Sequence, residues 1–427
     1  MTATAPPDAT APDADTAIAR NSLALAVSAA GTAVLGLVYW VVMGRLYPAA
    51  EVGAAAAVIT AATMLASFGN LGLGAYFERF LPVAGPARGR IVRRGLTAGA
   101  GAGLLLGSIF VLVGPVDEMF SGRTELLLFP LFVVALSLFA MLDHLAVGLH
   151  RADWAAGNNI GHAVAKLAGA ALLAGLAGRL AITGSWILTA VLAGAVIAVP
   201  VARRVRAAGM SGAAGELLPP GREQARFLAA NYGVFVVTAL APLILPMVVI
   251  ARVGADQNAY FALVWSLMSA VLVLQTMLTG PYVAAVAARP DRFTALSARF
   301  GAILGGVSVL ACLALILLGP VVLALAGRDY AENGGRVLQT AAAALPLAAC
   351  GAAYTALCRI RRRLLPALAV QLISAGLMLS LTLLWIDDHG VIAAAWALLA
   401  AEGTAAVLVT TPLVRAWRSS RTGTQSR

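Results

Sequence analysis

The sequence predicts an all-α integral membrane protein with about 12 transmembrane helices. It predicts two six-helix bundles related by a pseudo-two-fold axis along the membrane normal. Of the 427 residues, 61% are hydrophobic and only 11% are charged, whereas a water-soluble domain carries about 25% charged residues. Apolar runs of about 20 residues, long enough to cross a bilayer as a helix, recur along the chain. A weak internal repeat is the third observation.

The apolar runs predict these spans, in chain order: 22–44, 52–76, 95–115, 126–149, 158–178, 181–201, 228–251, 258–282, 299–326, 336–358, 364–386 and 391–414. They form two halves, 22–201 and 228–414, joined by the polar, arginine-rich segment 202–227, which we expect to be a cytoplasmic linker. Segments 1–21 and 415–427 are expected to be cytoplasmic tails, the first of them disordered. The first run is too long for a signal-peptide core, so no cleavage is expected.

The basic residues fall mainly on one side of these spans. With the N-terminus inside, the inner segments hold 23 of the 30 basic residues and the outer segments 6, while Lys166 lies within a span. The positive-inside rule therefore predicts a multi-pass protein of the cell membrane with both termini cytoplasmic. The net charge of +11 then reflects topology and contact with anionic lipid rather than nucleic-acid binding.

Two features indicate the repeat. "RNSLALAVSAAGTAVLGL" at Arg20 is echoed by "RFLAANYGVFVVTALAPL" at Arg226, and Arg45 is echoed by Arg252, both at an offset close to 206 residues. The third span also carries a glycine every four residues, which predicts either tight packing or a sliding contact along one helix face. These glycines are Gly95, Gly99, Gly103 and Gly107.

The stretch from Arg20 to Pro82 resembles the start of bacterial polysaccharide-biosynthesis flippases, which belong to the multidrug/oligosaccharidyl-lipid/polysaccharide exporter superfamily. The similar pattern is an arginine, a glycine eight residues later, and a "GLG" leading to an arginine and an aromatic residue. Here these are Arg45, Gly53, 72–74, Arg79 and Phe80. The chain has Tyr47-Pro48 where the family usually has Gly-Pro. The resemblance implies a cavity between two bundles and export of lipid-linked sugars.

A diphosphate crossing the membrane needs cationic partners in a solvated cavity, because buried charge in lipid is costly. The candidate substrate-binding residues are Arg79, Lys166, Arg45 and Arg252. Each also has a structural interpretation: Arg79 as a snorkelling residue at a helix end, Arg45 and Arg252 as interfacial anchors, and Lys166 as a partner in an intramembrane ion pair with Asp143.

Acidic and titratable residues provide candidates for coupling or for ion pairs. They are Asp143, His144, Glu402 and Glu78. Glu402 in the last span either binds a coupling cation or bonds a neighbouring helix, and His144 has a side chain that titrates near neutrality.

The leading functional prediction is a flippase that translocates a lipid-linked oligosaccharide or related cell-envelope precursor by alternating access. Its expected partners are a polyprenyl-diphosphate-linked sugar, membrane lipids, and glycosyltransferases and a polymerase of the same pathway. The alternatives are a cation-coupled multidrug exporter of the same superfamily and, third, a membrane glycosyltransferase or polymerase. We expect no enzyme activity, because the outer loops are short, and no nucleotide, metal or other cofactor, because the chain has no phosphate-binding loop and its histidines are scattered.

Overall fold

The computed structural model describes residues 31–32, 34–174, 178–210, 218–361 and 363–421. These residues form helices and short connections, with no β-strand among the described ranges. The predicted tail 1–21, most of the run-in to the first span, and residues 422–427 lie outside them.

The first half contains eight helices: α1 Val34–Leu46, α2 Ala49–Gly69, α3 Leu73–Phe80, α4 Arg88–Val113, α5 Val116–Met119, α6 Arg123–Gly148, α7 Ala152–Leu172 and α8 Arg179–Met210. The second half contains six: α9 Gly221–Ala288, α10 Phe293–Ala326, α11 Arg328–Ala342, α12 Leu345–Ile360, α13 Leu365–His389 and α14 Ile392–Arg421. Because α8 runs to Met210 and α9 begins at Gly221, helix covers much of the segment 202–227 that we predicted to be a linker.

In the part of the chain that the structure describes, eight helices are long and apolar enough to cross a membrane, or nine if α11 and α12, which meet at a bend of 41°, form one span. Three predicted spans are missing from this count. They correspond to α1, which is described only in part, to the more polar α7, and to one of the two spans that α9 carries. As far as the structure describes them, the twelve apolar runs are thus matched by helix, and the all-α membrane fold is confirmed.

α9 folds back on itself at Gly254, whose φ of 79° and ψ of 178° are non-helical. Val234 and Thr279, on either side of Gly254, line the same cavity. A straight helix running from Val234 to Thr279 would hold these two residues about 68 Å apart. The arms 221–253 and 255–288 therefore lie side by side, as the two predicted spans require. A glycine at this joint is expected, because other residues rarely adopt a positive φ.

The packing pattern repeats between the halves. In the first half α4 packs on α6, α6 on α8, and α7 on α8. In the second half α10 packs on α11 and α12, α12 on α14, and α13 on α14. These pairs of helices correspond to those of the first half when the repeat offset is applied. This agrees with the parallel repeat predicted from the sequence.

The glycines of α4 allow a close helix–helix contact. A Cβ added at Gly99 would lie 2.5 Å from Sδ of Met141, and one at Gly107 would lie 2.8 Å from the Pro130 backbone, both on α6. All four predicted glycines are buried. The packing interpretation of this motif is therefore the one that the structure supports.

α2 lies at the centre of the molecule and is buried on nearly every side. Its sequence, AAEVGAAAAVITAATMLASFG, is apolar all round and dominated by alanine. Such a helix is stable only when other helices enclose it, and small side chains let their backbones come close. α2 packs most extensively on α9, and this pair joins the two halves.

Candidate functional site

The two halves meet at two places, toward opposite ends of α2. We call the first the sealed end; it comprises residues 44–53 of the first half against 255–259 and 324–330 of the second. We call the other the basic end; it comprises residues 68–98 against 218–235. Predicted topology places the basic end on the cytoplasmic side.

The sealed end is a contact between backbones. A Cβ on Gly53 would overlap the carbonyl oxygen of Ala255 and would lie 2.9 Å from the amide nitrogen of Ala259. Asn258, which is only 2% exposed, donates a hydrogen bond from Nδ2 to the carbonyl oxygen of Gly53 at 2.8 Å. The two helices thus touch without intervening side chains, which excludes water at this point.

Arg45 adds a polar contact across the sealed end. Its guanidinium donates to the carbonyl oxygens of Leu325 and Ala324, near the end of α10, and the second of these bonds is 3.2 Å long. Arg252, its equivalent in the repeat, instead forms an ion pair with Asp387 of α13 at 2.5 Å, within the second half. The repeat therefore places two arginines alike in sequence but gives them different partners.

The basic end is held mainly by side chains, although Gly72 also lies close to the α9 backbone at Leu228 and Tyr232. The guanidinium of Arg79 lies over the ring of Phe227, 4.6 Å from its centroid, and Phe80 meets the same ring edge-on at 5.2 Å. Tyr76 donates a hydrogen bond to Oε1 of Gln224 at 2.5 Å. Arg79 is exposed and forms no ion pair within the described residues. It therefore sits where the halves join, and its partners are aromatic rings.

Lys166 is buried inside the first half, in an aromatic setting. Its Nζ lies 3.3 Å from the centroid of the Trp186 ring on α8 and 5.3 Å from that of Tyr39 on α1. Only 7% of the residue is exposed. Aromatic faces attract a cation through their quadrupole, so the ammonium is accommodated without a carboxylate.

The structure does not form the predicted ion pair between Lys166 and Asp143. Asp143 Oδ2 instead accepts a hydrogen bond from Asn159 at 2.6 Å, and its Oδ1 is buried without a hydrogen-bond partner in the described part of the chain. Asn159 precedes Lys166 by seven residues on α7, which places the two about 10 Å apart along the helix. The two charges lie on adjacent helices but at different depths.

Glu78 and His144 form a pair between α3 and α6. His144 Nδ1 lies 2.7 Å from Glu78 Oε1, and both side chains are partly exposed. Glu78 is thus engaged with His144 and forms no ion pair with Arg79, its neighbour in sequence. The pair anchors α3, which carries Arg79, to the first half.

Glu402 lines a cavity of about 400 Å³ inside the second half, between α9, α12, α13 and α14. Its Oε1 accepts a hydrogen bond from Ser374 at 3.2 Å. Gln371 and Arg359 line the same cavity, as does Gln275. This cavity has a mixed polar and apolar lining and lies within one bundle, whereas the sequence predicted a cavity between the bundles.

The sequence did not single out several residues that the structure places at the junction of the halves. Asn258, Gln224 and Phe227 contact the opposite half, and Trp186 holds Lys166. Arg90 and Arg94 line a pocket at the basic end; their spacing of four residues was the one available signal, since it puts both on one face of a helix. In the described residues no group of three or more metal-ligating side chains is present.

No family model matches the sequence, and no curated protein sequence matches it. Solved structures match it in fold. A structure of the lipid II flippase MurJ, in an inward closed conformation, has a TM-score of 0.71 at 12% identity and covers 93% of this chain and 89% of its own. An inward-facing structure of a multidrug resistance MATE family transporter of the MOP superfamily has a TM-score of 0.61 at 13% identity and covers 92% and 100%.

An outward-facing structure of a MATE family transporter of the MOP superfamily gives 0.61 at 15% identity and covers 96% and 97%. These matches confirm, at the level of fold, the resemblance drawn from the stretch Arg20 to Pro82. The proteins named in them are transporters.

Proposed function

We propose that this chain is a membrane flippase that translocates a lipid-linked oligosaccharide or a related cell-envelope precursor by alternating access. The observation that carries the proposal is the excess of unneutralised positive charge in and between the halves. Arg45, Arg79 and Lys166 form no ion pair within the described residues; carbonyl oxygens or aromatic rings hold them. Cations without carboxylate partners favour an anionic cargo, such as a diphosphate.

The two ends of the interface suit alternating access. In the arrangement described here both ends are in contact, so a substrate would enter when the basic end parts and leave when the sealed end parts. The isoprenoid tail of the substrate would remain in the bilayer while its diphosphate and sugars pass between the halves. Arg79 would meet the diphosphate at the basic end and Arg45 at the sealed end.

The roles of the remaining candidates follow from their positions. Lys166 would offer a cation deeper in the first half, once movement of Trp186 exposes it. Glu402, Asp143 and the Glu78–His144 pair are the candidates for coupling transport to a cation. Arg252, neutralised by Asp387, contributes less to binding than Arg45. Pathway glycosyltransferases and a polymerase would supply and consume the substrate, with both termini of the chain cytoplasmic.

Transport in reconstituted vesicles tests the proposal. Purified protein is incorporated into liposomes that contain a fluorescent polyprenyl-diphosphate sugar, and a membrane-impermeant quencher measures how fast the label changes leaflet. The wild type is expected to accelerate the exchange, and Arg79→Ala to slow it by about tenfold, the effect of about 1.4 kcal/mol on the barrier. Lys166→Met should also slow it.

Arg123→Ala is the matched control, because Arg123 is exposed and lies outside both the sealed end and the basic end. It should leave the rate unchanged. Absence of exchange with the wild type across several envelope lipids would overturn the flippase assignment, and equal rates for wild type and Arg79→Ala would overturn the role of Arg79.

One observation favours the alternative, a cation-coupled multidrug exporter. The cavity lined by Glu402 lies within a single bundle and contains aromatic side chains, Trp265 and Tyr354 among them. An acid beside aromatic faces suits an organic cation. Efflux of a cationic dye that is abolished by Glu402→Gln, without any lipid exchange, would favour this second function.

A further inference from the structure

A pocket of about 430 Å³ opens at the basic end, where α3 and α4 of the first half meet the beginning of α9. Its volume is within the range of roughly 300–1,000 Å³ that ligand pockets occupy. It differs from the other features of the basic end because both halves contribute polar groups to one concave surface: Arg90 and Arg94 from α4, Tyr76 from α3 and Gln224 from α9.

Arg90 and Arg94 give the pocket its charge. They lie one turn apart on α4, both are exposed, and neither forms an ion pair within the described residues. Glu223 precedes Gln224 in the chain but does not line the pocket. Two guanidinium groups on one helix face present the forked donor geometry that phosphate oxygens accept in pairs.

The rest of the wall is apolar and extends along α4. Gly95 and Ala98 continue the pocket beyond the arginines, with Leu73, Ile91 and Leu228 beside them. Ala98 follows Arg94 by four residues, about 6 Å deeper along the helix. Ala98 is small and exposed, and the apolar side chains beside it border a shallow slot along α4 that a hydrocarbon chain fits. The ring of Phe77 fills the space beside Gly95. A soluble anion would use the arginines but not the slot.

We propose that this pocket binds the phosphate headgroup of an anionic membrane lipid, with the start of an acyl chain in the slot beside Ala98. The hydrogen bond from Tyr76 to Gln224 joins the two halves at the pocket, so a lipid that contacts α4 and Gln224 together holds the basic end closed. Such a ligand stabilises the conformation that forms its site. The site does not depend on what the protein transports.

Lipid binding to the full-length protein in detergent tests the site directly. Native mass spectrometry measures the affinity for phosphatidylglycerol, with phosphatidylcholine as the zwitterionic comparison. The double variant Arg90→Gln/Arg94→Gln is expected to bind phosphatidylglycerol about thirtyfold more weakly, since each arginine near an anionic headgroup contributes about 1 kcal/mol. Phosphatidylglycerol should also raise the melting temperature of the wild type but not that of the variant.

Arg93→Gln/Arg204→Gln is the matched control, because it removes the same charge from exposed positions at the same end that do not line the pocket. It should retain the wild-type affinity. An equal loss in both double variants would show only general attraction to positive charge and would overturn the site. Unchanged affinity in a folded Arg90→Gln/Arg94→Gln protein would overturn it as well.

Ala98→Phe separates a lipid from a free anion. The variant keeps both arginines but fills the slot, so it should lose phosphatidylglycerol. Inorganic diphosphate should bind weakly and to the same extent in wild type and Ala98→Phe. If inorganic diphosphate binds the wild type as tightly as the lipid does, the pocket is a site for a soluble anion and the lipid proposal is wrong. Because the readout is retention of lipid, its failure is distinguishable from failure of flippase activity.

Discussion

The sealed end and the basic end join the same two halves by different means. At the sealed end, Gly53 lets the backbone of α2 touch that of α9, and Asn258 bonds to the carbonyl group at the point of contact. At the basic end, Arg79 and Phe80 pack on the ring of Phe227, and the approach of Gly72 to the α9 backbone is looser than that of Gly53.

The difference bears on which end opens more easily. A backbone contact separates only when whole helices move, whereas stacked side chains exchange one rotamer for another on a shorter timescale. Protein interiors are close-packed, so a larger side chain at the sealed end would clash with the neighbouring helix. We therefore expect substitutions at the sealed end to have larger effects than substitutions at the basic end.

Gly53→Val is expected to have the largest effect. Its side chain would overlap the Ala255 carbonyl, so α2 and α9 must separate, at a cost of about 1–3 kcal/mol or more. The melting temperature of the purified protein in detergent should fall by several degrees. Gly101→Val is the control, because an added Cβ at Gly101 has no neighbour within 4 Å. Equal effects of the two substitutions would contradict the backbone seal.

Asn258→Ala is expected to have an intermediate effect. It removes the 2.8 Å bond to Gly53 from a buried position, which costs about 1–3 kcal/mol. Denaturant titration should show a lower midpoint than that of the wild type. Asn231→Ala provides the comparison, since Asn231 bonds only to the carbonyl oxygen of Phe227 within its own helix. If both variants lower the denaturant midpoint equally, the hydrogen bond between the halves contributes no more to stability than one within a helix.

Phe227→Ala is expected to have the smallest effect on stability, about 1–2 kcal/mol for the lost contacts with the Arg79 guanidinium and the Phe80 ring. Its main consequence should be a looser basic end. Spin labels at positions 83 and 222, with the three native cysteines replaced, should report a longer and broader distance distribution. Phe300→Ala is the control, because Phe300 stacks on Tyr282 within the second half. A lengthened distance in the control, or none in Phe227→Ala, would argue against this role.

Local sequence patterns predicted the fold because membrane helices can be recognised from the length and hydropathy of apolar runs. The twelve apolar runs correspond to helices, and the α4 glycines pack as their four-residue spacing predicts. Helix ends were less predictable. The span expected over 52–76 breaks at Leu71 and Gly72, which have positive φ values of 53° and 74°, and α3 begins there as a separate helix.

The candidate site was harder to predict, because partners depend on helix rotation and on contacts distant in sequence. Lys166 and Asp143 were placed on adjacent helices correctly, but a difference in depth along α7 prevents their pairing. Arg45 and Arg252 are equivalent in the repeat, yet only Arg252 has a carboxylate in reach. The pocket at Arg90 forms only because α9 begins beside α4, and no local sequence pattern predicts that contact.

The turn at Gly254 links the sealed end to the basic end. One arm of α9 supplies Phe227 at the basic end, and the other begins with Ala255 at the sealed end. Because one helix contacts the first half at both places, a change of the bend at Gly254 would alter both contacts together.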